Sequence, residues 1–313
     1  QDPDGRFRNC LWDKYFDTDD DLPLLGGKAP GDSEFLTVYG DVRMRDDFYR
    51  FLQTIYHLYP EHAFHRLIIE ACERHDTDAD IYADVAARLP GIKPFAADLT
   101  YALPALARQK REMQQQTQSI LPSGRRWSGY LEIGSTGRYV RHLRKALDLN
   151  GPVYLSNEVV PDNSPPEIME RGGLRKVGEF FPLDDYAPIP GARIADESLD
   201  LVTCYIGLHH CPREKLDAYI ASIHRVLRPG GHFVLRDHDA GTGPMRKFVS
   251  LVHTVFNAGL GVPWEEDRRE LRLFEGINFW IERVTAAGFD VDGKRLLQAH
   301  DPSLNTLLLF TRR

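Results

Sequence analysis

Gly129-Tyr-Leu-Glu-Ile-Gly-Ser-Thr-Gly137 decides how this chain is read, and Val226-Leu-Arg-Pro-Gly-Gly-His-Phe-Val-Leu-Arg-Asp237 answers it further along. The first stretch reads as a strand, a glycine turn and the start of a helix. The second reads as a helix end, a turn and another buried strand. Glycine has no Cβ and takes positive φ readily, so Gly134 and Gly137 can bring bare backbone against a nucleoside-bearing ligand. Ser135 and Thr136 add hydroxyls to the N–H groups of that turn.

Outward from the turn, strand and helix signals alternate, which is the mark of a parallel sheet covered on both faces. Strands are expected at 130–133, 153–156, 175–180, 199–205 and 232–236, with helices at 139–147 and 213–227. Two alternating runs, 290–297 and 306–310, read as a terminal antiparallel hairpin. The expected fold is α/β: a Rossmann-like doubly wound sheet, mostly parallel, preceded by an amino-terminal helical domain. Helical spacing runs over 46–74 with a break at Pro60, over 81–89 up to Pro90-Gly91, and over 101–120. Pro122-Ser-Gly124 closes that region, so the domains are expected at 1–122 and 123–313, with a helical insert at about 241–287. Residues 1–34 read as an irregular leader that docks by Phe7, Trp12, Tyr15 and Phe16.

Composition narrows the classes of function. With 42% hydrophobic and 27% charged residues in 313, the chain is an ordinary globular protein. A net charge of −7 argues against a nucleic-acid partner, since phosphate binding needs a clustered basic face. The first 50 residues hold 12 acids against 7 bases, a bias that favours a solvated or partner-facing leader. Cys10, Cys72, Cys204 and Cys211 have no CxxC spacing, and Cys204 and Cys211 lie in or beside an apolar strand, so a disulfide framework is not expected and a reducing compartment, the cytoplasm, is the default. No apolar run approaches the roughly 20 residues that span a bilayer.

About 20 residues past the glycine turn, the second strand ends at Asn157-Glu158, where a carboxylate can accept both hydroxyls of a ribose. At this point the chain resembles the class I S-adenosylmethionine-dependent methyltransferases, and within them the broad group that includes the ubiquinone and menaquinone methyltransferases. The resemblance spans about residues 125–313. Leu131-Glu-Ile-Gly134 is similar to the family's first motif and Val177-Gly-Glu-Phe180 to its third. Ser198-Leu-Asp-Leu-Val-Thr-Cys-Tyr-Ile-Gly-Leu-His-His210 is similar to the fourth, and His224-Arg-Val-Leu-Arg-Pro-Gly-Gly231 to the helix end and turn before the fifth strand. The turn departs from the family's G-x-G-x-G by one glycine. The resemblance implies S-adenosylmethionine as cofactor, with Glu132 near its amino group, Glu158 on its ribose, Glu179 and Phe180 at its adenine, and Tyr205 and His210 beside it.

Methyl transfer asks the protein mainly to hold three atoms in line and to remove a proton. The candidate base is His238 in Leu235-Arg-Asp-His-Asp239, with Asp237 or Asp239 as its orienter and His210 as a pocket wall. Adjacent histidines on a strand point to opposite sides, so His209-His210 is not expected to bind a metal. The amino-terminal helices and the insert are expected to cover a small-molecule substrate, with Tyr39, Tyr49, His253 and Asp239 touching it. Three alternatives stand beside this reading. They are a methyltransferase of RNA or protein, a cofactor-binding module without catalysis, and a nicotinamide dehydrogenase, which the missing full G-x-G-x-x-G disfavours.

Overall fold

Strand and helix signals from residue 126 onward become one mixed sheet, and the helical signals before it become short amphipathic helices. The structure is a computed structural model that describes residues 22, 25, 28–55, 59–95, 97, 103–205 and 207–313, and of residues 53–55 the backbone only. The leader aromatics lie outside the described residues. In chain order the elements begin with α1 (Glu34–Tyr39), α2 (Val42–Ile55), α3 (Glu61–Arg74), α4 (Asp78–Ile92) and α5 (Leu103–Ile120). Then come β1 (Arg126–Ile133), α6 (Val140–Ala146), β2 (Asp148–Asn157), α7 (Pro165–Arg171), β3 (Glu179–Pro182), β4 (Leu199–Cys204), α8 (Arg213–Val226) and β5 (Leu227–His238). The chain ends with α9 (Gly243–Leu260), α10 (Trp264–Asp267), α11 (Ile277–Ala286), β6 (Phe289–Val291), β7 (Leu296–Leu297) and β8 (Asn305–Arg312).

The sheet runs β3-β2-β1-β4-β5-β8-β6, with β7 paired to β8. Strands β1 to β5 are parallel, while β8 runs antiparallel to β5, β6 and β7. The order reverses between β1 and β4, so the carboxyl ends of these two neighbours splay their following loops to opposite sides and leave a crevice. Side chains alternate across the sheet. Leu131, Ile133, Phe233 and Leu235 pack with Tyr219, Ile220 and Ile223 of α8 and Trp280 of α11. Tyr130, Leu201 and Val234 pack with Met113 of α5 and Val140 and Leu143 of α6. Both faces are therefore covered, which is why the central strands read as continuous apolar runs.

Three expectations are corrected here. The third strand spans Glu179–Pro182, further along than 175–180. Helix α4 passes through Pro90 to Ile92, since a proline in a last turn removes only one bond of the ladder. The chain separates into two compact units, Gln1–Ala102 with Gly243–Glu270 and Ala299–Ser303, and Leu103–Thr242 with Leu271–Gln298 and Leu304–Arg313. Where the sequence suggested a break after Pro122, α5 instead groups with the sheet, because its buried face joins the cluster around Tyr130. The insert is divided, with α9 and α10 in the helical unit and α11 on the sheet.

In the helical unit Phe48 meets Phe248 of α9 edge to face at 6.0 Å, and Tyr82 donates to the Val262 carbonyl at 2.6 Å. Tyr39 and Tyr49, expected at a substrate, are buried around His65 instead. The Tyr39 hydroxyl lies 3.3 Å from His65 Nδ1, and the Tyr49 ring is 5.2 Å from the imidazole. Cys72, Cys204 and Cys211 are buried free thiols. Among the described residues no helix is long and apolar enough to cross a membrane.

Burial, and then the positive charges of Arg45 and His62, lower the pKa of His65 from 6.5 to about 3. The folded protein therefore keeps His65 neutral through a range in which the unfolded chain binds a proton. Between pH 6.5 and about 3 acid favours unfolding, by up to about 1.4 kcal/mol per pH unit. Urea titrations of His65→Gln are expected to give a shallower loss of stability across that window than the parent. Parallel acid limbs would assign the sensitivity elsewhere.

Candidate active site

Glu132 is at 0% exposure near the end of β1, on the face of the sheet that carries Tyr130. A carboxylate there must be hydrogen-bonded. Its Oε2 accepts from the Tyr130 hydroxyl at 2.9 Å, and its Oε1 accepts from the Ser135 hydroxyl and from the Tyr139 N–H at 3.2 Å. Burial raises the pKa of Glu132 above the ordinary carboxylate value, and the donors from Ser135, Tyr130 and Tyr139 offset part of that. Ser135 Oγ in turn accepts from the N–H groups of Gly137 and Arg138, both at 3.1 Å. One hydroxyl thus closes a turn that has a glycine fewer than the expected motif. Gly137 cannot be replaced within it. Its φ is +105°, and a Cβ would meet Val177 Cγ2 at 2.4 Å.

Across the crevice from Gly134 lies Gly207, in the loop after β4. A Cβ added to Gly207 would stand 3.9 Å from Gly134 Cα, so the switch point is walled by bare main chain on both sides. Beside it β2 ends at half-buried Asn157, followed by exposed Glu158. Glu179 is not with them. It pairs with Tyr154, three registers before Asn157 meets Pro182, and roughly 3.3 Å per residue carries it and Phe180 away from the carboxyl edge. Glu179 is exposed and 3.8 Å from Arg193. The acids that do follow the carboxyl end of β3 are Asp184 and Asp185. Tyr205 is enclosed, its hydroxyl 2.7 Å from Thr117 Oγ1 and its ring edge-on to Tyr139 at 4.6 Å.

At the ends of β4 and β5 the expected pairing is replaced by another. Asp237 and His238 are neighbours on a strand, so their side chains leave opposite faces, and Asp237 does not orient the His238 ring. Asp237 Oδ1 instead meets His209 Nδ1 at 2.8 Å, both side chains being 1% exposed. It also accepts from the His238 N–H at 2.8 Å. A carboxylate can only accept, so Nδ1 carries the proton and Nε2 is the basic nitrogen of His209. Burial acts to raise the Asp237 carboxyl, but His209 and then His238 more than offset this and hold it below its ordinary value. Asp239 is committed to the fold, its Oδ1 accepting from the Ile277 N–H at the start of α11.

His209 and His210 are not on a strand. Leu208–His210 is a 3-10 turn, so the two rings lie 4.3 Å apart, and the turn is fastened by His210 Nδ1 to the Leu271 carbonyl at 3.0 Å. His209, set aside in the sequence as one of a divergent pair, is the residue missed. Pro212 ahead of α8 was the available signal, because a strand that must reach a helix start within seven residues of Tyr205 has to turn. The His238 ring is 5.5 Å from that of His209, and Phe274 flanks both. In the helical unit, His253 Nδ1 is 3.8 Å from Glu270 Oε1.

Residues 131–235 match the family model described as "Methyltransferase domain". The chain carries a methyltransferase domain over these residues. No curated protein sequence matches it. Among solved structures, the CurJ carbon methyltransferase is 17% identical over 87% of this chain and 71% of its own, with a TM-score of 0.48. The 1,6-didemethyltoxoflavin-N1-methyltransferase of Burkholderia thailandensis, solved with S-adenosylhomocysteine, is 16% identical over 76% and 92%, with a TM-score of 0.41. The mitomycin 7-O-methyltransferase MmcR is 14% identical over 80% and 68%, with a TM-score of 0.46. The bare main chain at Gly134 and Gly207, with exposed Glu158 beside it, suits a nucleoside.

The Ser135 hydroxyl holds the methyltransferase's glycine turn shut. Ser135→Ala is expected to weaken S-adenosylhomocysteine binding roughly tenfold, about 1.4 kcal/mol, in isothermal titration. Equal affinity in the variant would mean that the turn closes without it.

Proposed function

We propose that this methyltransferase acts on a small molecule and that His209, oriented by Asp237, is the base that deprotonates the acceptor. The observation that carries the reading is the buried His209–Asp237 pair at the carboxyl ends of β4 and β5. Bound S-adenosylmethionine supplies a methyl group activated by a sulfonium. Glu158 is placed to accept from the ribose hydroxyls, with Asn157 beside it, and Asp184 or Asp185 to reach the base. Gly134 and the Ser135-closed turn offer their main chain, while Glu132 acts through that turn and not by direct contact.

The acceptor's proton passes to His209 Nε2, and Asp237 stabilises the imidazolium through Nδ1–H. His238 stands next to this pair as a substrate contact, and His210 as the wall beyond it. A small-molecule acceptor accords with the net charge of −7, which opposes tRNA. The cytoplasm is the compartment that the cysteine spacing favours.

The test is production of S-adenosylhomocysteine against a panel of metabolites, tRNA and peptides, followed by variants on the best acceptor. His209→Ala and Asp237→Asn are expected to lower kcat at least about hundredfold, with S-adenosylhomocysteine affinity within about twofold. His238→Ala should cost less than either. The reverse ranking would return the role of base to His238, and turnover of tRNA alone would remove the small-molecule reading.

A further inference from the structure

Asp184, Asp185 and Tyr186 follow β3 with φ values of 51°, 49° and 57°. Three consecutive non-glycine residues in the left-handed region are rare, because each brings its Cβ against the following carbonyl. Such a run persists only where its surroundings over-determine it. Here they do. The Leu183 N–H bonds the Asn157 carbonyl and the Ala187 N–H the Asp184 carbonyl, both at 3.0 Å. Lys215 Nζ of α8 donates to the Asp185 carbonyl at 3.0 Å and pairs with its carboxylate.

The strained turn does not bury its acids, since Asp184 and Asp185 are both exposed. What it does is send Tyr186 inward. The Tyr186 ring stands edge-on to Tyr219 at 5.2 Å, and its hydroxyl donates to the Gly207 carbonyl. That same carbonyl accepts the His210 N–H at 3.0 Å, the bond that opens the 3-10 turn bearing His209. Gly207 itself has φ +152°, a conformation that suits glycine, and the Tyr186 hydroxyl lies 3.6 Å from where its Cβ would be.

We propose that Tyr186 is a positioning residue for methyl transfer: its hydroxyl anchors the first carbonyl of the turn that aims His209 at Asp237, and the left-handed turn locked by Lys215 exists to deliver it. This rests on the reading of His209 as the base. No substrate or cofactor contact is assigned to Tyr186. It acts through the main chain of Gly207, and removing the hydroxyl leaves the imidazole present but misaimed.

The experiment uses the full chain with S-adenosylhomocysteine bound and reads the downfield proton of His209 Nδ1–H by NMR, assigned by its disappearance in His209→Gln. Tyr186→Phe, which keeps the ring against Tyr219, is expected to shift or broaden that signal. It should also lower kcat about tenfold, a larger loss than any in S-adenosylhomocysteine affinity, for which Gly207 is only one wall. Lys215→Met, at the surface, is expected to do the same more weakly, about threefold, and decides the matter if Tyr186→Phe does not fold. An unmoved signal in the folded variant overturns the proposal, whatever the rate. A moved signal in a protein whose His209→Gln variant still turns over leaves the positioning role standing and removes His209 as the base.

Discussion

A carboxylate wholly removed from water has to find its donors inside the protein, and most of the cofactor turn follows from how Glu132 does so. Its two oxygens take a tyrosine hydroxyl from its own strand, a serine hydroxyl from the turn and the N–H of Tyr139 at the head of α6. The Tyr130 hydroxyl also lies 2.7 Å from Thr203 Oγ1 on β4, so the acid ties together the strands on either side of the switch point. Removing any donor leaves a buried charge short of partners, which costs far more than an exposed bond is worth. Within the turn, Ser135 links the carboxylate to the N–H groups of Gly137 and Arg138.

The second constraint is the alternation of side chains along β5. Because Leu235 and Phe233 face the α8 and α11 layer, Asp237 does too, and His238 leaves by the other face. The partner of Asp237 must come from something packed on its own side, and the 3-10 turn after β4 supplies His209. Burial of both groups excludes water from the pair, so their interaction is screened less than a surface ion pair would be. The 3-10 turn is itself held from outside, by the Leu273 N–H on the His209 carbonyl and by the Gly207 carbonyl at its start.

Much of this was legible in the chain. The strand, turn and helix order, the buried acid before the glycines, and Glu158 at the tip of the second strand are local patterns, each written within a few residues. The place of Glu179 is not written locally, because a third strand of four residues gives no internal sign of where it ends, and a shift of three places moves an acid from the carboxyl edge to the strand's first residue. For Tyr49 the helical spacing from Phe48 onward also fits a packed face, whereas for Tyr39 no local pattern tells a packed ring from a substrate contact. In the structure α1 brings Tyr39 and α2 brings Tyr49 against His65 of α3.

What the sequence determined by itself was the class of fold and the glycine turn after β1, because hydrophobic periodicity and the backbone freedom of glycine act over short stretches and survive any tertiary arrangement. What only the tertiary structure decided was which imidazole meets which carboxylate, which tyrosine reaches Gly207, and where α5 and α9 belong. Those pairings join residues far apart in the chain, 28 positions for His209 and Asp237 and 21 for Tyr186 and Gly207. They depend on the direction a side chain takes as it leaves a strand or turn, which composition and spacing do not carry.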